Sequence, residues 1–244
     1  MNRISIWVAL ILGLALSGSA AASGAFTGRV GATLGSYKFE SRETDLGCCG
    51  NPIGFSISNE DNSGQYGLLG GLGLNAGMFF ADVGLEVDTY SEKYDLDGDN
   101  VEDQYFRTDG LLTLGLFLGS NWSIFGGYRH ATFGDGVFSE QYGNTEDGPF
   151  VGGGFSFRPG KKISLGMSAA YNQLTLSSDG TSFDDLDLDG FSVKFNLGFA
   201  GTPHAIFLRW QRFEGEYEEP GYLYEYTEDY LNIGYQATFG FTSW

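Results

Sequence analysis

Hydrophobic and polar residues alternate along most of the chain after residue 25. In the last such stretch, YLNIGYQATFGF, every second residue from Leu231 to Phe241 is hydrophobic, and those between are polar or glycine. A period of two places successive side chains on opposite faces of a β-strand. Because the same period recurs upstream, the pattern predicts an all-β chain with one hydrophobic face and one face of charges and glycines.

Ten stretches of this kind are predicted to be strands. They run for roughly 10 to 16 residues, longer than the five or six usual in soluble sheets and long enough to cross a bilayer when tilted. The predicted strands are 26–40, 65–76, 78–92, 104–119, 122–134, 149–158, 162–176, 186–200, 204–214 and 229–241.

The connections between these strands alternate in length. Short turns are predicted near residues 77, 120, 160 and 202, and long acidic connections are predicted at 41–64, 93–103, 135–148, 177–185 and 215–228. Such alternation is typical of outer-membrane barrels, in which short turns face the periplasm and long loops face outward. We therefore predict a transmembrane antiparallel β-barrel of ten strands, with eight or twelve as alternatives, and with both termini in the periplasm.

The N-terminus has the pattern of a secretory signal peptide. Arg3 precedes an apolar run from Ile4 to Leu16, and small residues follow as far as Ala22. The run is too short to span a bilayer as a helix, and Ala20-Ala21-Ala22 fits a cleavage site. The predicted division is a signal peptide over 1–22 and one barrel domain over 23–244.

The net charge of the chain excludes one class of binding partner. The formal net charge is −18, which argues against nucleic acid because phosphate binding needs clustered Lys and Arg. Charged residues at polar positions of the predicted strands are expected to pair inside a narrow lumen. The predicted lumen network is Arg29, Asp82, Glu86, Asp88, Arg107, Asp109, Arg129, Arg158, Lys194 and Arg209.

The C-terminal NIGYQATFGF resembles the terminal strand of bacterial outer-membrane β-barrel proteins, although Thr242, Ser243 and Trp244 follow Phe241. The resemblance implies an integral outer-membrane location and insertion by the barrel assembly machinery. It also implies contact with outer-membrane lipid and lipopolysaccharide. It does not identify an extracellular partner, and it implies no activity.

Two residues raise the question of catalysis. The spacing His130-Ala131-Thr132 resembles the His-x-Ser of lipid A deacylases, with Thr in place of Ser. The Asp-x-His pattern of omptin proteases is absent, because Tyr128 stands two residues before His130. We therefore predict a non-enzymatic structural or surface-interaction barrel, or a very narrow pore. The alternative is a lipid-modifying hydrolase or protease that uses His130.

The segment YDLDGDNVED has the spacing of a calcium-binding loop. Its candidate ligands are Asp95, Asp97, Asp99, Val101 through its carbonyl oxygen, and Asp103. Asn100 replaces the usual glycine at the sixth position, and Phe106 stands where an EF-hand has Glu. The sequence leaves two readings open, a Ca²⁺ site that orders a loop and an acidic loop in water. No other cofactor is predicted.

Cys48 and Cys49 are adjacent and are candidates for a vicinal disulfide in an oxidising envelope. Neighbouring Cα atoms lie about 3.8 Å apart, which is shorter than disulfide geometry favours, so a bond between these two cysteines would be strained. Intermolecular pairing and metal capture are the alternatives.

Overall fold

The computed structural model describes residues 25–45, 56–96, 99–134, 144–178, 186–199, 201–219 and 222–242. The strands are β1 (Ala25–Asp45), β2 (Ser56–Ala76), β3 (Phe79–Leu96), β4 (Asp99–Leu118), β5 (Trp122–Gly134), β6 (Asn144–Phe157), β7 (Ile163–Ser178), β8 (Leu186–Phe199), β9 (His204–Glu219) and β10 (Tyr222–Thr242). No helix within these ranges is long and apolar enough to cross a membrane. The signal peptide predicted over 1–22 lies outside them.

The strands form one closed antiparallel barrel. Each strand pairs with its neighbours along the chain, and β1 closes the ring by pairing with β10 from Ala25↔Thr242 to Asp45↔Tyr222. Closure satisfies the backbone hydrogen-bonding groups of every strand, which a lipid environment requires. The predicted ten-stranded transmembrane fold is confirmed.

The two rims of the barrel differ. The rim that we call the turn rim carries the short connections near 77–78, 119–121, 158–162 and 201–203, together with the start of β1 and the end of β10. Gly77, Gly119 and Gly201 adopt positive φ values of 63°, 76° and 81°. Only glycine enters this region without steric cost, which explains the glycine at these positions in three of the four short connections. We call the opposite rim the loop rim.

The strands extend further toward the loop rim than the sequence predicts. β3 and β4 remain paired as far as Leu96↔Asp99, and β9 and β10 as far as Tyr222↔Glu219. The predicted long connections at 93–103 and 215–228 are therefore mostly paired strand. Aromatic pairs support this extension, since the rings of Tyr217 and Tyr224 lie 6.3 Å apart across β9 and β10.

Outward-facing side chains form an apolar band around the wall. Leu68 is 70% exposed and Val151 is 62% exposed, as expected for residues whose natural solvent is lipid. Toward the loop rim the band ends in aromatic residues, and the next outward residue is polar: Tyr128 is followed by His130, and Trp210 by Arg212. Large exposed aromatics also line the turn rim: Phe26, Phe79, Trp122, Phe157, Phe199 and Phe239.

Inward-facing positions often carry glycine because a side chain or backbone atom of a neighbouring strand occupies the space of a Cβ, and at Gly71 that side chain is charged. A Cβ built on Gly71 would lie 2.7 Å from Cζ of Arg29, whereas one on the preceding, outward-facing Gly70 meets nothing closer than 3.9 Å. Gly71 thus leaves room for Arg29 to reach across β2 to Asp82 on β3.

The difference between Gly71 and Gly70 provides a test of which face of β2 points into the lumen. We expect Gly71→Val to destabilise the folded barrel by about 1–3 kcal/mol through overpacking against Arg29, and Gly70→Val to fold with nearly parental stability. Urea unfolding of barrels refolded into phospholipid vesicles measures both. Equal losses in the two variants would contradict the assignment of the inward face.

Candidate functional site

The lumen is the part of the structure that gathers charged residues, and its ion pairs occupy successive levels. Nearest the turn rim, Arg29 on β1 donates to Asp82 on β3, with Nη2 to Oδ1 at 2.5 Å and a second contact from Nη1 to Oδ2. Both side chains are about one-quarter exposed, so water reaches this pair.

At the middle level an ion pair bridges nearly opposite sides of the barrel. Arg209 on β9 donates to both carboxylate oxygens of Glu86 on β3 at 2.6 and 2.7 Å. Beside this pair, Asp88 is buried and accepts a hydrogen bond from Thr33 Oγ1 at 3.0 Å. Lys194 Nζ lies 4.1 Å from the centre of the Phe207 ring. Bidentate geometry makes the bridge both strong and rigid.

The third level is the most buried. Arg129 on β5 holds Asp109 on β4 with Nε at 3.1 Å and Nη2 at 2.7 Å. Arg107 on β4 contacts three carboxylates, those of Asp109 at 3.6 Å, Glu146 at 3.1 Å and Glu228 at 3.7 Å. The side chains of both arginines are no more than 3% exposed.

Aromatic rings cover this third level on the side of the loop rim. The Arg107 guanidinium lies 4.3 Å from the ring centre of Tyr230 and 4.5 Å from that of Phe133, and Arg129 lies 4.6 Å from Phe213. Such cation–π contacts are favourable where water is excluded. The aromatic layer, as we call this cluster, consists of Tyr37, Tyr90, Phe133, Phe213 and Tyr230, with Ala131, Leu174 and Leu188 among them. The charged residues of the third level and the members of the aromatic layer are almost all buried.

The structure places the predicted lumen residues inside the barrel except for Arg158. Arg158 follows the last residue of β6 and is exposed in the turn that leads to β7. The prediction for this residue was wrong because the predicted strand, 149–158, ends one residue beyond the end of β6 at Phe157. No ion pair of Arg158 occurs within the described parts of the chain.

Glu146 and Glu228 belong to the network but were not predicted. Both fall in stretches interpreted as long connections, whereas the structure has them on β6 and β10. Parity could have revealed them, since Glu146 shares its face with Phe150 and Glu228 shares its face with Tyr230.

His130 and Thr132 lie on the outward face of β5, immediately beyond the apolar band. His130 Nδ1 makes a short contact with Oδ1 of Asp147, its register partner on β6, and the two side chains are 45% and 37% exposed. Thr132 is 7% exposed. No hydrogen bond between His130 and Thr132 occurs among the described contacts. The structure therefore brings His130 together with Asp147, a residue that the sequence pattern did not single out.

The side chains of the calcium candidates Asp95, Asp97, Asp99, Val101 and Asp103 lie outside the described residues, as do Cys48 and Cys49. The backbone of Asp95 pairs with Asn100, so both ends of this segment belong to a β-hairpin. Among the side chains that the structure describes, no three His, Cys, Asp or Glu residues are grouped to hold a metal.

The Arg209–Glu86 bridge offers a direct measure of the lumen's contribution to stability. We expect Arg209→Ala and Glu86→Ala each to cost about 3–5 kcal/mol, because each leaves a buried charge without its partner. The double variant should lose much less than the sum of the two. A double-mutant cycle from urea unfolding in vesicles measures the coupling, and additive losses would show that the bridge is energetically unimportant.

Comparisons with known proteins place the chain in a family. The model described as the outer membrane protein beta-barrel domain matches residues 8–199. No curated protein sequence matches the chain.

Solved structures with a similar fold include the outer membrane protease OmpT from Escherichia coli, with a TM-score of 0.53 at 12% identity over 87% of this chain and 97% of that one. An outer membrane channel from Pseudomonas putida F1 gives a TM-score of 0.36 at 15% identity, over 91% and 98% of the two chains. At such low identity the likeness to OmpT shows the fold alone. The family match and the closed barrel show that the chain belongs to the outer membrane protein beta-barrel domain family and is integral to the bacterial outer membrane.

Proposed function

We propose that the protein is a non-enzymatic outer-membrane barrel with a closed lumen, and that it serves as a structural or surface-interaction protein. The observation that carries the proposal is the burial of the arginine–carboxylate level and of the aromatic layer that contacts it. Neither level contains the row of separated, hydrated charges that lines a conducting pore.

Burial distinguishes this interior from that of a channel. Arg129, Glu146, Glu228 and Phe213 are no more than 1% exposed. A water path through this level would leave their atoms accessible. Since buried charges are stable only when they are paired, the many contacts of Arg107 and Arg129 favour a fixed arrangement over a mobile lining.

The orientation belongs to the same proposal. Short connections gather at one rim together with the start of β1 and the end of β10, and the paired strands extend beyond the apolar band at the other. This arrangement supports a turn rim in the periplasm and a loop rim outside the cell. The partners that fit the outer wall are outer-membrane lipid and lipopolysaccharide, with the barrel assembly machinery acting during insertion.

We expect the parental protein to show no steady conductance in a planar bilayer at neutral pH. The double variant Asp109→Ala/Arg129→Ala should conduct, because it removes the large Arg129 side chain from the plug together with the carboxylate that it pairs with. The matched control Arg212→Ala/Glu214→Ala removes an ion pair from the outer wall and should stay silent. Steady conductance of the parental barrel would overturn the closed lumen.

A second candidate function rests on the His130–Asp147 pair. A carboxylate that holds a histidine in position is the arrangement by which a general base activates a hydroxyl nucleophile, and Thr132 supplies a hydroxyl on the same face of β5. Because the pair faces outward at the edge of the apolar band, its accessible substrate is an ester of a membrane lipid. The same outward direction makes a peptide substrate less suitable.

Lipid analysis tests this second candidate. If the pair hydrolyses lipid, mass spectrometry of lipid A from cells expressing the parental protein should show loss of an acyl chain, and His130→Ala should abolish that loss. His204→Ala is the matched control, since His204 contacts Tyr235 at the turn rim. Unchanged lipid A and phospholipid in cells with the parental protein would remove the candidate.

A further inference from the structure

Three basic residues lie together in one short connection of the turn rim. Arg158, Lys161 and Lys162 belong to the turn between β6 and β7, and all three are exposed. The chain as a whole has 31 acidic and 13 basic residues. No Asp or Glu occurs among the described residues of the four short connections or of the strand ends next to them. The turn rim therefore carries a positive patch on a strongly acidic protein.

The three basic side chains of this turn make no ion pair within the described parts of the chain, in contrast to exposed cations elsewhere. Nearer the loop rim the exposed cations pair with glutamates, Lys38 with Glu40 at 3.5 Å, Arg42 with Glu225 at 3.8 Å and Arg212 with Glu214 at 2.6 Å. A guanidinium offers phosphate two parallel donors, and lysines add point charges. The turn is therefore suited to an anion that bears a phosphate.

Aromatic rings beside the turn mark the depth of the membrane interface. The ring of Phe155 lies 4.6 Å from that of Trp122 and 5.6 Å from that of Phe157, measured between ring centres. Aromatic belts of this kind lie at the level of the lipid headgroups. Because Arg158 directly follows Phe157, the basic side chains lie where headgroup phosphates are found.

A groove in the outer wall begins at the same turn. It has a volume of about 450 Å³ and is lined mainly by outward apolar residues of β6, β7, β8 and β9. In the cross-strand row nearest the turn, Phe157 pairs with Leu165 and Leu197 pairs with Ile206. Hydrocarbon is favoured against such a surface. The groove thus offers a place for an acyl chain directly beside the cations.

A second groove on the wall provides a comparison. It has a volume of about 470 Å³, and residues such as Ala76, Ala81 and Leu116 of β2, β3 and β4 line it. The short connections next to it, at 77–78 and 119–121, contain no charged residue. The two grooves are similar in size and in their apolar lining, but only the groove beside the β6–β7 turn has cations at its end.

We propose that the β6–β7 turn and the groove beside it bind one anionic phospholipid, with its phosphate against Arg158, Lys161 and Lys162 and an acyl chain in the groove. Charge complementarity selects the headgroup, and the apolar lining selects a lipid over a soluble anion. The site is on the outer wall, so it does not depend on a closed lumen. The orientation proposed above assigns this lipid to the periplasmic leaflet.

Native mass spectrometry of the folded barrel in a non-ionic detergent tests the site. The probes are phosphatidylglycerol and phosphatidylcholine with identical acyl chains, added at equal concentrations, because only the first has a net negative charge. We expect the parental barrel to retain phosphatidylglycerol preferentially, by about fivefold for each basic residue that contacts the headgroup. Arg158→Gln/Lys161→Gln/Lys162→Gln should retain the two lipids equally. These exposed substitutions are expected to leave folding unchanged.

Two matched controls make the result specific. Lys38→Gln/Arg42→Gln/Arg212→Gln removes the same formal charge near the loop rim and should keep the parental preference. Met167→Trp narrows the groove beside the basic turn and should weaken retention of phosphatidylglycerol, whereas Ala81→Trp in the second groove should not. An equal preference in the parental barrel and the turn variant would overturn the proposal, as would an equal loss in the turn variant and the loop-rim control.

Competition distinguishes a lipid site from a site for free phosphate. Glycerol phosphate has the anionic group without acyl chains, and at constant ionic strength an excess of it should leave phosphatidylglycerol bound. Displacement of the lipid by glycerol phosphate would overturn the phospholipid assignment. The outcome is separate from that of the proposed function, because steady conductance of the parental barrel would refute the closed lumen without changing the expected lipid preference.

Discussion

A ten-stranded barrel encloses a space only a few side chains wide, and every charge that points into it must find a partner there. Arg107 shows how strict this constraint is. It contacts three carboxylates from β4, β6 and β10 and stacks against two aromatic rings. The wall, the plug and the pairing of distant strands all depend on inward side chains that are complementary in charge as well as in size.

The interior changes character along the barrel axis. The Arg29–Asp82 pair near the turn rim is partly exposed, the Arg209–Glu86 bridge is less so, and the Arg107 level is almost completely buried under aromatic rings. The effective dielectric constant falls with burial, so the same kind of ion pair has larger energetic consequences at the deepest level. This gradient explains why the side chain with three carboxylate contacts, Arg107, is found at the most buried level.

The outer wall follows a simpler physical rule. Its residues are apolar where lipid surrounds them and become polar within one outward position beyond the aromatic residues, as from Tyr128 to His130. The His130–Asp147 pair lies at this change of solvent. A polar pair at such a boundary is well hydrated and costs little, which is why its presence is compatible with both a structural and a catalytic role.

Alternation, together with the strand lengths and the alternating lengths of the connections, was sufficient to predict the barrel and its strand number, and alternation predicted the inward direction of residues such as Arg107 and Arg209. The reason is that a period of two assigns each side chain to a face without any knowledge of its neighbours. The extent of pairing beyond the membrane could not be predicted this way, because polar aromatic hairpins and polar loops have similar compositions.

Which charged residues contact each other could be identified only from the three-dimensional structure. The contacts of Arg107 with Glu228, of Arg209 with Glu86 and of Asp147 with His130 follow from register and from the closure of β1 on β10. Register depends on connection lengths and on contacts between strands distant in the chain, which a local pattern does not contain. The periodicity of the sequence thus determines which residues face the lumen, and the closed barrel determines which of them contact each other.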